Sequence, residues 1–144
     1  MIEQDTIKLL RECDAGVKMG VSSINEVLGM IQKQPFHERM EQCKAEHEQL
    51  DREIQRLLNQ YQDDGKAPNP MAKSMSWMKT HMKLAADASD KTIADLMTDG
   101  CNMGVKSLYK YLNQYQAADE PSKSLTKRLI QSEERLIADI RCYL

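Results

Sequence analysis

Between Asp5 and Gln32 the apolar side chains fall at Ile7, Leu10, Val17, Val21, Ile24, Leu28 and Ile31, at intervals of three, four or seven residues. Steps of that size keep returning to one face of a helix with about 3.6 residues per turn, so the pattern predicts a helix about 27 residues and about 40 Å long. Gln34-Pro35 stops it, because the residue before a proline is pushed out of the helical region. A second helix is predicted from Pro35 to Tyr61, with Met40, Cys43, His47, Leu50, Ile54, Leu57 and Tyr61 on its inner stripe. The short turn between the two makes them antiparallel neighbours.

Asp63-Asp64-Gly65-Lys66-Ala67-Pro68-Asn69-Pro70 breaks the periodicity. Beyond it, Met75, Met78 and Met82 keep helical spacing within Ser74 to Ala86, a segment too short to hold a helix without tertiary contacts. Trp77 is therefore expected to pack against the bundle. Ser89-Asp90 offers caps for a third long helix, Lys91 to Tyr115, and Asp119-Glu120-Pro121-Ser122 separates it from a fourth, Lys123 to Tyr143. No segment alternates in the manner of a strand.

The chain also repeats itself. A shift of 84 positions sets Gly16-Val17-Lys18-Met19-Gly20-Val21-Ser22-Ser23-Ile24 beside Gly100-Cys101-Asn102-Met103-Gly104-Val105-Lys106-Ser107-Leu108. A shift of 86 sets His47-Glu48-Gln49-Leu50 beside Glu133-Glu134-Arg135-Leu136. One helical hairpin is thus written twice, over residues 5–61 and 90–143, with a crossover at 62–89. So long a crossover can return the chain along the bundle, which makes the second and third long helices parallel; up-down-up-down order needs only a few linking residues. The expectation is one all-α domain spanning residues 1–144, a four-helix bundle of two antiparallel hairpins joined by a crossover with its own short helix. Two glycines four residues apart in each half cost helix stability; close helix approach is the expected compensation, and a ligand groove using the same exposed backbone is the lesser alternative.

Composition narrows the function. The 144 residues carry 20 Lys and Arg against 22 Asp and Glu, so no basic field exists to hold a nucleic acid backbone. No run approaches the length of a membrane span, and Met1-Ile2-Glu3-Gln4-Asp5 lacks the basic start and apolar run of a signal peptide. Cys13, Cys43, Cys101 and Cys142 are widely spaced and show no zinc-site pairing, which fits free thiols and a cytoplasmic protein.

In Asp14-Ala15-Gly16-Val17-Lys18-Met19-Gly20, Trp77-Met78-Lys79 and Asp99-Gly100, and in the order of its helices, the chain resembles the ferritin-like superfamily. Within it, the likeness is to small bacterial ferritin-like proteins known only as a domain of unknown function. The resemblance implies a bundle in which each hairpin contributes to a central site. Members with chemistry carry a carboxylate on the first and third helices and Glu-x-x-His on the second and fourth. Here Lys44 stands three residues before His47, and Ile130 three before Glu133, so those pairs are missing and a catalytic di-metal centre is not expected. Asp14, His47 and Glu133 occupy inner-stripe positions nonetheless, and with Asp99 they form the candidate metal set for iron, manganese or zinc. Helix register separates Asp14 from His47 and brings His47 to the level of Glu133. The leading expectation is a non-catalytic scaffold or interaction protein that self-associates, as a dimer for instance, without a cofactor; the alternative is a metal-binding protein with a degenerate carboxylate and histidine site.

Overall fold

Residues 2–63 and 87–144 are described by the computed structural model, and they form four long helices: α1 (Ile2–Leu28), α2 (Gln34–Gln60), α3 (Asp90–Gln114) and α4 (Glu120–Ile140). A final 3-10 turn covers Arg141–Tyr143. The crossover helix expected at 74–86, with the packing expected of Trp77, lies outside the described residues.

Cap chemistry sets where α3 and α4 begin. The Ser89 hydroxyl accepts from the Thr92 amide at 3.3 Å, and an Asp119 carboxylate oxygen accepts from the Ser122 amide at 2.9 Å. These caps satisfy amides that the first helical turn leaves without partners. Pro121 fits the first turn of α4, where its missing N–H is no loss. Both helices consequently start ahead of the apolar stripe that first reveals them. The stripe itself also drifts: Leu9 and Leu58 are fully buried, whereas Ile7 and Leu57 are only partly so.

Helix direction follows from contacts between the ends. Arg39, early in α2, donates to Asp139, late in α4, at 2.8 Å; Arg128, early in α4, makes a two-pronged pair with Glu53, late in α2, at 2.9 and 2.8 Å. Helices α2 and α4 are therefore antiparallel. Asp90 at the start of α3 accepts from the Gln32 and Lys33 amides just past α1, at 2.8 and 2.9 Å. At the other end Asp5 accepts from the Ala117 amide at 3.0 Å, and Thr6 from the Asp119 amide at 2.8 Å. Helices α1 and α3 are thus antiparallel as well, α2 runs parallel to α3, and the chain must travel the length of the bundle between Asp63 and Asp87. This is the topology that the long middle connection predicts. Around the bundle α1 packs on α2 and α3, α4 packs on α2 and α3, and α1 meets α4 across the centre.

The clasps obey the repeat. Asp5 and Asp90 are 85 positions apart, and each holds the turn of the opposite hairpin. They fix both ends of the α1–α3 seam, so its middle can stand open without the two helices drifting apart.

The core divides into two apolar blocks. One gathers Ile24, Phe36, Met40, Ile93, Leu136 and Ile140 near the α1–α2 turn; the other gathers Leu10, Val17, Ile54, Leu58, Leu125 and Leu129 near the α3–α4 turn. His47 and Glu133 belong to neither block and are buried at the middle of the bundle.

A cavity over a buried histidine and glutamate

His47 projects inward from the middle of α2, and Glu133 from the middle of α4. Their closest atoms, Nε2 and Oε1, are 3.8 Å apart, which makes an ion pair rather than a hydrogen bond. On the other side of the ring, Nδ1 lies 3.0 Å from the Cys43 carbonyl oxygen and 3.6 Å from Cys43 Sγ. The carbonyl can only accept, so Nδ1 carries a hydrogen and donates. A neutral ring would then turn a lone pair on Nε2 towards a carboxylate, whereas protonation makes Nε2 a donor. Burial works against the imidazolium, but the Cys43 contact and the Glu133 carboxylate together outweigh it and raise His47 from its ordinary 6.5 to about 10.

The sign of the resulting pH dependence is fixed. A folded pKa above the unfolded one gives stability that is complete below about pH 6.5 and is lost as pH rises towards about 10, by at most about 1.4 kcal/mol per unit. Burial pushes the Cys13 thiol up from 9.0 to about 12, and the Cys101 thiol is raised chiefly by burial and secondarily by Glu133. Those thiols add a loss of the same sign, but only above the pH at which unfolded thiols ionise. Urea unfolding between about pH 7 and about pH 8 therefore isolates the histidine. Stability is expected to decline across that window in the wild type and to stay level in His47→Gln; equal slopes in both would refute the assignment.

The helical glycines explain how the pair fits. A Cβ at position 20 would lie 2.9 Å from His47 Cδ2, and one at position 104 would lie 2.5 Å from Glu133 Oε2. Gly20 on α1 therefore makes room for His47, and Gly104 on α3 makes room for Glu133. The two arrangements are copies under the repeat. Close approach is the correct physical idea, but the approaching groups are side chains from α2 and α4. Gly16 and Gly100 differ, since a Cβ at either would meet nothing within 4 Å. Gly16→Ala and Gly100→Ala are each expected to stabilise the protein by about 0.5–1 kcal/mol through helix propensity. Gly104→Ala should destabilise it by about 1–3 kcal/mol, because Glu133 has to move within a packed site. Denaturant midpoints will show opposite signs within one repeat if the two glycine roles are distinct.

Above the pair, the middle of the α1–α3 seam opens into a cavity of about 440 Å³. Its walls include Met19, Ile24, Met97, Met103 and Leu108, and its floor holds His47 and Glu133. Met103 is 71% exposed, which puts it at the rim. Glu133 Oε2 is buried and has no hydrogen-bond partner among the described residues. A second, roomier groove of about 650 Å³ runs between α1 and α2. It is more open to solvent and carries Lys18, Glu26, Glu48, Asp51 and Arg52, with no buried polar atom lacking a partner.

Of the four candidate metal ligands, the structure brings together His47 and Glu133. Asp14 is fully buried but belongs to another cluster, where Lys18 Nζ lies 2.9 Å from one carboxylate oxygen and Gln55 Nε2 lies 2.6 Å from the other. In that cluster burial and the neighbouring Asp14 raise Asp51, against the Gln55 donor. Asp99 is exposed on α3. Among the described residues no group of three or more His, Cys, Asp and Glu side chains is placed to hold a metal ion. His37 pairs with Glu41 at 3.1 Å near the surface, as its position outside the inner stripe implies. Cys13, whose Sγ lies 3.2 Å from Thr126 Oγ1, and Cys101 are buried thiols with raised pKa values, which is the opposite of an activated nucleophile.

Sequence reasoning identifies His47 and Glu133 as a level pair and ranks a ligand groove at the helical glycines below close packing, but it misses the seats that Gly20 and Gly104 provide. The signal was present in the repeat, since the two glycines and the two polar residues recur together. Among the described residues no helix is long and apolar enough to cross a membrane. No family model, curated protein or solved structure matches the chain.

Proposed function

We propose that this chain is a non-catalytic binding protein whose α1–α3 cavity holds a small, largely apolar molecule bearing one hydrogen-bond donor. The observation that carries this reading is Glu133 Oε2, buried beneath an apolar cavity without a partner. Leaving such an acceptor unsatisfied costs about 1–3 kcal/mol, a penalty that a ligand donor would remove. A volume of about 440 Å³ suits a small ligand, and apolar walls with few convergent polar groups are the usual form of such sites. Raised thiol pKa values support the non-catalytic part of the reading.

Kinship with the ferritin-like superfamily is part of the proposal; the doubled hairpin and parallel α2 and α3 support it. In a metal-binding version, His47 and Glu133 would ligate iron, manganese or zinc, while Gly20 and Gly104 on the facing helices supply no ligand. Two side chains fall short of the three or four that hold such an ion in most protein sites. Support for a homodimer is thinner. The exposed large apolar side chains among the described residues, Ile2, Met30, Met103, Tyr109 and Leu144, are divided between the ends and the middle of the bundle instead of forming one patch. Four free cysteines support a reducing compartment such as the cytoplasm.

Calorimetric titration of the full-length protein with 1-octanol tests the binding reading. One saturable site is expected, weakened at least about tenfold by Gly16→Leu, which puts a bulky side chain into the open space beside Gly16. No saturable binding, or equal affinity in the variant, would reject it. Stoichiometric metal in protein purified without chelator, lost on changing both His47 and Glu133, would replace it with the metal reading.

A further inference from the structure

We infer that the molecule held in the α1–α3 cavity is an amphipathic ammonium ion, its charged head on Glu133 Oε2 and its apolar body along the methionine wall. This rests on the binding reading above and adds the charge of the ligand.

The ionisable side chains that line the cavity are Glu12, Glu26, Glu133, His47 and Tyr111, with the thiols of Cys43 and Cys101. Among the described residues no Lys or Arg lines it. Glu133 places a carboxylate at the floor, and a carboxylate or phosphate reaching it would meet like charge at depth, where low polarity magnifies the repulsion. His47 Nδ1 is committed to the Cys43 carbonyl, and Nε2 keeps its proton 3.8 Å from Glu133 Oε1.

Glu133 has one oxygen to spare. Oε1 takes the imidazolium, whereas Oε2 lies against the bare backbone of Gly104 and has no donor. A carboxylate oxygen of this kind only accepts, and charge-assisted donors satisfy it most strongly. An ammonium brings three N–H groups and a positive charge in a compact head, while a hydroxyl brings one donor without charge. A second positive charge near the imidazolium is made more tolerable by Glu26, which also lines the cavity. The rest of the cavity asks for an apolar body. Met19, Met97 and Met103 provide unbranched, polarizable side chains that adapt to an alkyl or aryl group.

A matched series of octylamine, 1-octanol and octanoate, titrated calorimetrically into the full chain at about pH 7, separates charge from apolar fit. Octylamine is expected to bind at least about tenfold tighter than octanol, with octanoate weakest; tenfold corresponds to about 1.4 kcal/mol. In Glu133→Gln octylamine affinity should fall at least about tenfold and the preference for the amine should shrink to less than about threefold. Glu26→Gln, a change at a partly exposed position, should weaken octylamine about two- to fivefold and leave octanol alone, so the charge argument is also tested where folding is not at risk. Octanol binding as tightly as octylamine in the wild type, or an amine preference that survives both substitutions, would overturn the inference and leave the binding reading standing. Failure of all three compounds to bind would remove the binding reading itself.

Discussion

Phe36→Ala is expected to destabilise the protein by about 3–5 kcal/mol, the range for deleting a buried aromatic ring from a core that cannot collapse around the space. Phe36 has no exposed surface, although it stands only three residues into α2. Pro35 starts that helix and aims the ring into the end block with Met40, Ile93 and Ile140. Its outer face stacks on Tyr143, with ring centroids 4.5 Å apart and planes 9° from parallel, and Lys33 Nζ lies 5.7 Å from the same Tyr143 ring. One side chain therefore ties the start of α2 to the end of the chain. For a domain of this size the melting temperature should fall by about 10–17 °C. Phe36 does not line the α1–α3 cavity, so octanol affinity measured below the new transition should be unchanged. A loss below about 1 kcal/mol would mean that the end block is not packed as described.

Glu133→Ala acts by a different route and is expected to cost about 3 kcal/mol at neutral pH, because it strands the His47 imidazolium in the core. The penalty has a ceiling, since His47 can discard its proton and become a neutral ring that still donates from Nδ1 to Cys43. For that reason the double change His47→Gln with Glu133→Ala should be less damaging than the sum of the single changes, by about 1–3 kcal/mol. Additive losses would show that the 3.8 Å approach carries no coupling. The same cycle repeated above about pH 10 should lose most of its coupling energy, as His47 is then neutral in the wild type.

The architecture was legible because its determinants are local. Apolar spacing, Gln34-Pro35 and the caps at Ser89 and Asp119 define the helices, and the repeat with its long connection defines their order. Boundaries were less legible where tertiary contacts decide them. The apolar stripe runs to Ile31, yet α1 ends at Leu28, because the Gln32 and Lys33 amides turn away to the Asp90 carboxylate of the other hairpin. At the site, His47 and Glu133 are found by register alone. Asp14 looked equally inward, and it is buried, but Gln55 arrives from α2 and Lys18 from one turn along, which makes it part of a satisfied polar cluster. Asp99 sits on the outer surface of α3. From sequence a groove at the glycines ranks below close packing, since the choice depends on Gly20 and Gly104 admitting side chains while Gly16 and Gly100 admit none.

That difference among the glycines also provides the most direct measurement. Backbone amide shifts of Gly16, Gly20, Gly100 and Gly104, followed by two-dimensional NMR during an octylamine titration, report on both walls of the seam at once. Gly29, in the α1–α2 turn and away from the cavity lining, is the internal control. The four cavity glycines should move together with one saturable dependence while Gly29 stays still, and Gly16→Leu should abolish the movement of the remaining three. Shifts of equal size at Gly29, or a linear response without saturation at every glycine, would contradict a binding site between α1 and α3.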